Sequence, residues 1–234
     1  MIPTYTKTIK LLSEHVDFRR NLRLSVLMRF FQEACIAHTE ELGAGRAKTL
    51  DKGYLWVILK ERILIEKLPR YDGTITLVCY PGPMLHYFFP RHLLVLDEKG
   101  EVLIRGNALW SLIDQKTREM IDPKEAGILV EGGEKGDEIA PILSLPIPPL
   151  SKSFEAKATY SLVDINGHLN NASYISLCLD ACEENDIREK DMKEIFLSFK
   201  KEIPFGTSFR VDYDNVDGSY YFNDDYFSAC LKMR

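Results

Sequence analysis

The sequence predicts an α+β protein in which a curved antiparallel sheet wrapped around one central helix occurs twice in tandem. Two observations carry this prediction. Each half of the chain holds one long apolar helical segment followed by four strand-like runs, and the order strand, helix, strands recurs after a segment rich in glycine and proline. Of the 234 residues, 45% are hydrophobic and 28% charged, a balance that permits a sizeable globular core.

In the first copy YTKTIKLL alternates as a strand does, and HVDFRRNLRLS reads as an extended lead into a helix, with Ser25 as a plausible N-cap. VLMRFFQEACIAHTEEL then places Leu27, Phe30, Phe31, Ala34, Ile36 and Ala37 around most of its circumference and stops at Gly43, which describes a helix covered on several sides. LWVILKERILIEKLP and TITLVCY are strands joined through RYDG, and FFPRHLLVLD and EVLIRGNALWSLID form a hairpin through Glu98-Lys99-Gly100.

The second copy repeats this order. KATYSLVDINGHL is extended, NNASYISLCLDACEEN is helical, and IFLSFKKEIP, TSFRVDYDNV, SYYFND and YFSACLKM are strands with turns at Phe205-Gly206 and Asp217-Gly218. Between the copies GGEKGDEIAPILSLPIPPLSKS has the composition of a linker laid over a surface. The expected division is residues 1–130, a linker over 131–153, and residues 154–234. One helix apolar nearly all round for each sheet is the hotdog arrangement, and two copies make a double hotdog.

The net charge of −5 and pI near 5.6 argue against an extended nucleic-acid footprint, which needs a dominant basic face. Five cysteines with no CxxC pair suggest neither a disulfide framework nor a zinc ribbon, and reduced thiols suit a cytosol. MIPTYTKTIK has no apolar leader region, and no apolar run approaches the ~18 residues that span a bilayer, so a cytoplasmic protein is expected.

The stretch DINGHLNNASYI carries the chemistry. In an extended segment Asp164, Asn166 and His168 would share one face, Gly167 would let the chain turn after them, and Asn170 or Asn171 would cap the following helix. An amide and an imidazole then sit beside a helix N-terminus, where free N–H groups favour a developing oxyanion. The same pattern also describes an ordinary Asx turn before a helix. A base to activate water is supplied by Glu202 in SFKKEIPFG, read as lying on a strand; the other reading of that carboxylate is an exposed strand end paired with Lys200 or Lys201.

Taken together these blocks resemble the acyl-ACP thioesterases of plants and bacteria. RFFQEACIAH resembles the family's first-helix pattern, LWVILKERILIEKLPRYDGTITLVCYPGP its Trp-Val and Pro strand block, and IRGNALWSLIDQKTREM the end of its first hotdog. DINGHLNNASYI resembles its Asp-x-Asn-x-His signature, and FKKEI the strand with its catalytic glutamate. The resemblance implies a double hotdog that hydrolyses fatty acyl-acyl carrier protein, with catalytic roles for Asp164, Asn166, His168 and Glu202. It also implies an acyl pocket in the first hotdog near Phe30, Phe31, Ala34 and Ile36. Many plant members have cysteine after the glutamate; Ile203 stands here, so attack by water is expected and no cofactor or metal is required.

The expected partner is acyl carrier protein, met by a basic patch for which Lys193, Lys200 and Lys201 are candidates. No nucleic acid or membrane is expected, a bacterial origin suits the missing transit peptide, and monomer and homodimer are both open. An acyl-CoA thioesterase and a non-catalytic acyl-binding module remain as alternatives.

Overall fold

The computed structural model describes residues 2–140 and 144–234. The first half consists of β1 (Tyr5–Lys10), α1 (Leu24–Glu41), β2 (Tyr54–Ile65), β3 (Thr74–Pro81), β4 (Phe88–Leu96) and β5 (Val102–Asp114). The second consists of β6 (Lys152–Lys157), α2 (Asn171–Asp180), the short α3 (Glu184–Glu189), β7 (Met192–Phe199), β8 (Ser208–Val216), β9 (Ser219–Asn223) and β10 (Phe227–Met233). The strand β6 thus takes up the last two residues of the expected linker. Part of that linker, residues 141–143, lies outside the described residues.

The described strands form one sheet in the order β1-β3-β4-β5-β2-β7-β10-β9-β8-β6, with every pairing antiparallel. This order is a palindrome of the repeat: β1 corresponds to β6, β3 to β8, β4 to β9, β5 to β10 and β2 to β7. The halves therefore do not stand as separate sheets. They join where β2 and β7 pair from Lys60↔Ser198 to Leu64↔Glu194. At that seam Glu194 on β7 receives Arg62 of β2 and Lys232 of β10, each at 2.8 Å, so its buried carboxylate is matched by two cations.

The helix α1 buries Leu24, Leu27, Met28, Phe31, Ala34, Cys35 and His38, the three-and-four spacing of a single helical face. Ser25 is not its cap. The helix starts at Leu24 with Arg23 in the N-cap position and no side-chain cap, because the chain enters already fixed by a turn at Asp17. It ends at Glu41, and two residues on the chain turns at Gly43, whose φ of +67° suits glycine. The shorter α2 is capped by Asn170, whose Oδ1 accepts from the N–H of Ala172 at 2.9 Å.

The duplication extends to the loops. Asp17 Oδ1 accepts from the N–H groups of Arg19 at 2.8 Å and Asn21 at 3.0 Å, while Asp164 Oδ1 accepts from those of Asn166 at 2.8 Å and His168 at 3.3 Å. After each turn a leucine N–H reaches a carbonyl across the sheet end, Leu22 to Pro69 and Leu169 to Ile203, both at 2.8 Å. Among the described residues, no helix is long and apolar enough to cross a membrane.

Candidate active site

The structure turns Asp164, Asn166 and His168 into a latch rather than a strand. Gly167 N–H donates to the Asp164 carbonyl at 3.1 Å, and Asp164 N–H donates to the His168 carbonyl at 2.8 Å. The carboxylate of Asp164 captures the two amides that a strand would have offered to a neighbour, which is why the extended reading fails here. The alternation seen in the sequence is that of an Asx turn, and φ of +74° at Gly167 closes it.

Glu202 also lies off its expected strand. The ladder of β7 ends at Phe199, and Glu202 sits in the loop that follows, where Pro204 withholds a backbone donor. That loop pairs with the latch: Leu169 N–H reaches the Ile203 carbonyl and Phe205 N–H reaches the Gly167 carbonyl, each at 2.8 Å. The pairing carries Glu202 to His168, with Oε1 3.8 Å from Nδ1. The Nδ1 atom is buried without a hydrogen-bond partner among the described residues. Neither Lys200 nor Lys201 is bridged to Glu202. Its partner is Arg118, at 2.7 Å from Oε2, while Lys200 bonds Asn223 and the Asp224 carbonyl.

Arg118 is the site residue that sequence reasoning missed. It occupies the turn after β5 at φ +62°, and nothing in TREM distinguishes it from any exposed arginine. Lys193 and Lys200 stand at opposite ends of β7, roughly 20 Å apart at ~3.3 Å per residue, so the three lysines do not form one patch at the loop.

Beside the latch lies a cavity of about 260 Å³, walled by Asp164, Ile165, Asn166 and Asn171 on the second half and by residues such as Ile36, Trp56 and Trp110 on the first. Of the four residues expected to meet an acyl chain, only Ile36 lines it. Phe31 and Ala34 are buried in the core, and Phe30 packs edge-on against His15. The period of α1 marks its apolar positions without telling which face meets the cavity and which meets the sheet. Ile203, expected from the resemblance to stand where many plant members have cysteine, is fully buried.

The corresponding place in the first half carries different residues. Its latch presents Arg19 and Asn21 where the second presents Asn166 and His168, and the matched carbonyls of Pro69 and Ile203 make Leu68 the counterpart of Glu202. The groove there, about 310 Å³, is lined by Arg19, Asn21, Leu68 and Arg70 among others. Among the described residues, the first-half latch therefore has no carboxylate in the place from which Glu202 faces His168. Among the described residues no group of three His, Cys, Asp or Glu is placed to hold a metal ion.

The model of the acyl-ACP thioesterase N-terminal domain matches residues 3–125, and that of the C-terminal domain matches residues 150–223. The chain belongs to the acyl-ACP thioesterase family. Among plant acyl-ACP thioesterases, a chloroplastic acyl-[acyl-carrier-protein] hydrolase of Cuphea viscosissima is 23% identical over 221 residues, covering 85% of this chain and 52% of the plant protein. The dodecanoyl-[acyl-carrier-protein] hydrolase of Umbellularia californica is 25% identical over 219 residues, covering 85% and 56%. The chain thus spans about half the length of these relatives.

The crystal structure of an acyl-ACP thioesterase from Bacteroides thetaiotaomicron superposes with a TM-score of 0.88 at 20% identity, over 99% of this chain and 98% of that one. The 12:0-ACP thioesterase of Umbellularia californica gives 0.83 at 20%, over 99% and 97%. The fold of this chain is accordingly the double hotdog.

The latch itself is testable. Asp164→Ala leaves two amides without their acceptor and should cost about 1 kcal/mol of stability, together with a fall in turnover. Asp17→Ala breaks the matching latch and should cost a similar amount with turnover unchanged. Urea midpoints and rates on both variants check the pair; equal losses of rate would show that the second latch has no special tie to the site.

Proposed function

We propose that the protein hydrolyses fatty acyl-acyl carrier protein to a free fatty acid and the carrier thiol, and that the approach of Glu202 to His168 carries this reading. Glu202 takes a proton from a water molecule, whose oxygen then bonds to the thioester carbonyl carbon. Asn166 and the N–H of Asn171, which heads α2 beside the cavity, receive the oxyanion, and His168 positions the water and the carbonyl. Collapse of the tetrahedral intermediate breaks the carbon–sulfur bond, and the departing thiolate recovers the proton held by Glu202. Asp164 acts through the backbone of the latch. Ile165 and Phe205, exposed at the tips of the two paired loops, offer apolar surface beside the mouth, where a carrier domain would rest.

The test is thiol release from one acyl group presented on acyl carrier protein and on CoA. Release from the carrier at a kcat/KM well above that on CoA is the expected result. Faster release from CoA would make the protein an acyl-CoA thioesterase, and binding of acyl carrier protein without release would make it a non-catalytic module. A series of chain lengths should show an optimum: each buried methylene contributes ~0.8 kcal/mol, so two carbons short of it the rate constant kcat/KM should fall roughly tenfold.

A further inference from the structure

The walls of the cavity are not uniformly apolar. Behind it, between α1, β2, β5 and the start of α2, is a side pocket of about 10 Å³, close to the size of one water molecule. It shares Gln32, Cys35, Trp110 and Asn171 with the larger cavity. Glu61 also lines it, at 3% exposure, on the same concave face of the sheet as its cross-strand partner Ala108. The indole N–H of Trp110 is buried with only the Cys35 thiol, a weak acceptor, near it, and makes no hydrogen bond among the described residues.

Two polar groups more than nine-tenths buried, one a donor left with only a weak acceptor and the other a carboxyl, are costly in a wall that only has to pack against methylenes. The nearby Arg91 does not meet that need. Its donors go to His38 Nδ1 at 3.3 Å, to Thr39 Oγ1 and to the Cys35 carbonyl at 3.4 Å. His38 serves as the acceptor because burial and the guanidinium hold its imidazole down to about 4.

We propose that Glu61 and Trp110 make this side pocket a reader of an oxygen on the acyl chain, so that the preferred substrate is a hydroxylated acyl group rather than a plain saturated one. The hydroxyl oxygen accepts the Trp110 Nε1–H and its proton is donated to the Glu61 carboxyl. The pocket has room for one such atom, while the rest of the chain occupies the larger cavity. A site built to pair a substrate hydroxyl discriminates strongly against the analogue that lacks it, because its own groups are then left unpaired.

This inference rests on the larger cavity being the acyl site, and its test separates the two. The only tryptophans of the chain, Trp56 and Trp110, both line that cavity, so their fluorescence reports occupancy without catalysis. The full-length protein is titrated with a saturated medium-chain fatty acid and with the monohydroxy acids of the same length, the hydroxyl moved carbon by carbon. One hydroxyl position should bind at least roughly tenfold more tightly than the plain acid, and Glu61→Leu should abolish that preference while still binding the plain acid.

Glu61→Gln, which keeps a polar group of the same size, should retain part of the preference and guards against a folding defect in the leucine variant. Equal binding across the series, or a preference that survives in Glu61→Leu, would overturn the inference and leave the acyl cavity standing. Fluorescence unmoved by every acid would remove the acyl cavity and the inference together.

Discussion

Glu202→Gln should lower kcat on acyl-acyl carrier protein by roughly 10² to 10⁴, the usual consequence of removing a general base, with little change in the melting temperature. The two parts of this expectation have separate grounds. The carboxylate lies close to the buried Nδ1 of His168 at the loop that closes on the latch, where a water molecule between enzyme and thioester would lose its proton acceptor. Its structural bond is to Arg118, and both side chains are about 40% exposed, so that ion pair contributes at most about 1 kcal/mol.

His168→Ala should cost at least about 10² in the same assay if the imidazole helps to hold the carbonyl during charge development. Because the two groups act as a unit, the double variant should lose little more than the worse single one. Steady-state rates on the three purified variants, with circular dichroism to show that each is folded, decide the matter. Turnover within a few-fold of wild type for Glu202→Gln would take the base assignment away.

The constellation was legible in the sequence because it is local: Asp164, Asn166, His168 and Asn170 fall within seven consecutive positions, and their residue types limit what they can bond. Its geometry was misread because a carboxylate that reaches amides two and four residues ahead gives the same spacing as a strand face. The parts that depend on distant pairing left weaker signals. Arg118 and Glu202 are 84 positions apart, and nothing beside either one announces that they pair. The join between β2 and β7 is likewise silent, since a strand reads alike whether its outer neighbour is another strand or solvent. Glu61 did leave a trace. It alternates with Ile63 and Ile65, both buried, whereas Arg62 and Leu64 on the other face are half-buried. Within Lys60-Glu61-Arg62 the charge on either side hides that period.

Burial of Glu61 has a consequence for stability that grows with pH. The carboxyl is pushed up to about 8, first by its removal from water and then by the Cys35 thiol beside it, and no residue lining the side pocket offers a positive charge to reverse this. In the unfolded chain the same group ionises near its ordinary value of 4.5. Between those limits the folded state keeps a proton that the unfolded state gives up, so unfolding releases a proton and stability falls as pH rises, by ~1.4 kcal/mol per unit.

Glu61→Leu removes that slope. The variant should match wild type within about 1 kcal/mol near pH 4.5, where the folded carboxyl is protonated and the unfolded one only half ionised, and exceed it by a margin on the order of 5 kcal/mol as pH 8 is approached. Other titrating groups contribute equally to the two proteins and cancel in the difference. Urea unfolding at a series of pH values measures it directly, and parallel curves for the two proteins would mean that Glu61 ionises in the folded state as readily as in water. A wild-type chain that keeps this carboxyl despite such a penalty is consistent with a use for it in binding, and the two experiments on one variant, more stable yet blind to the hydroxyl, would establish that exchange.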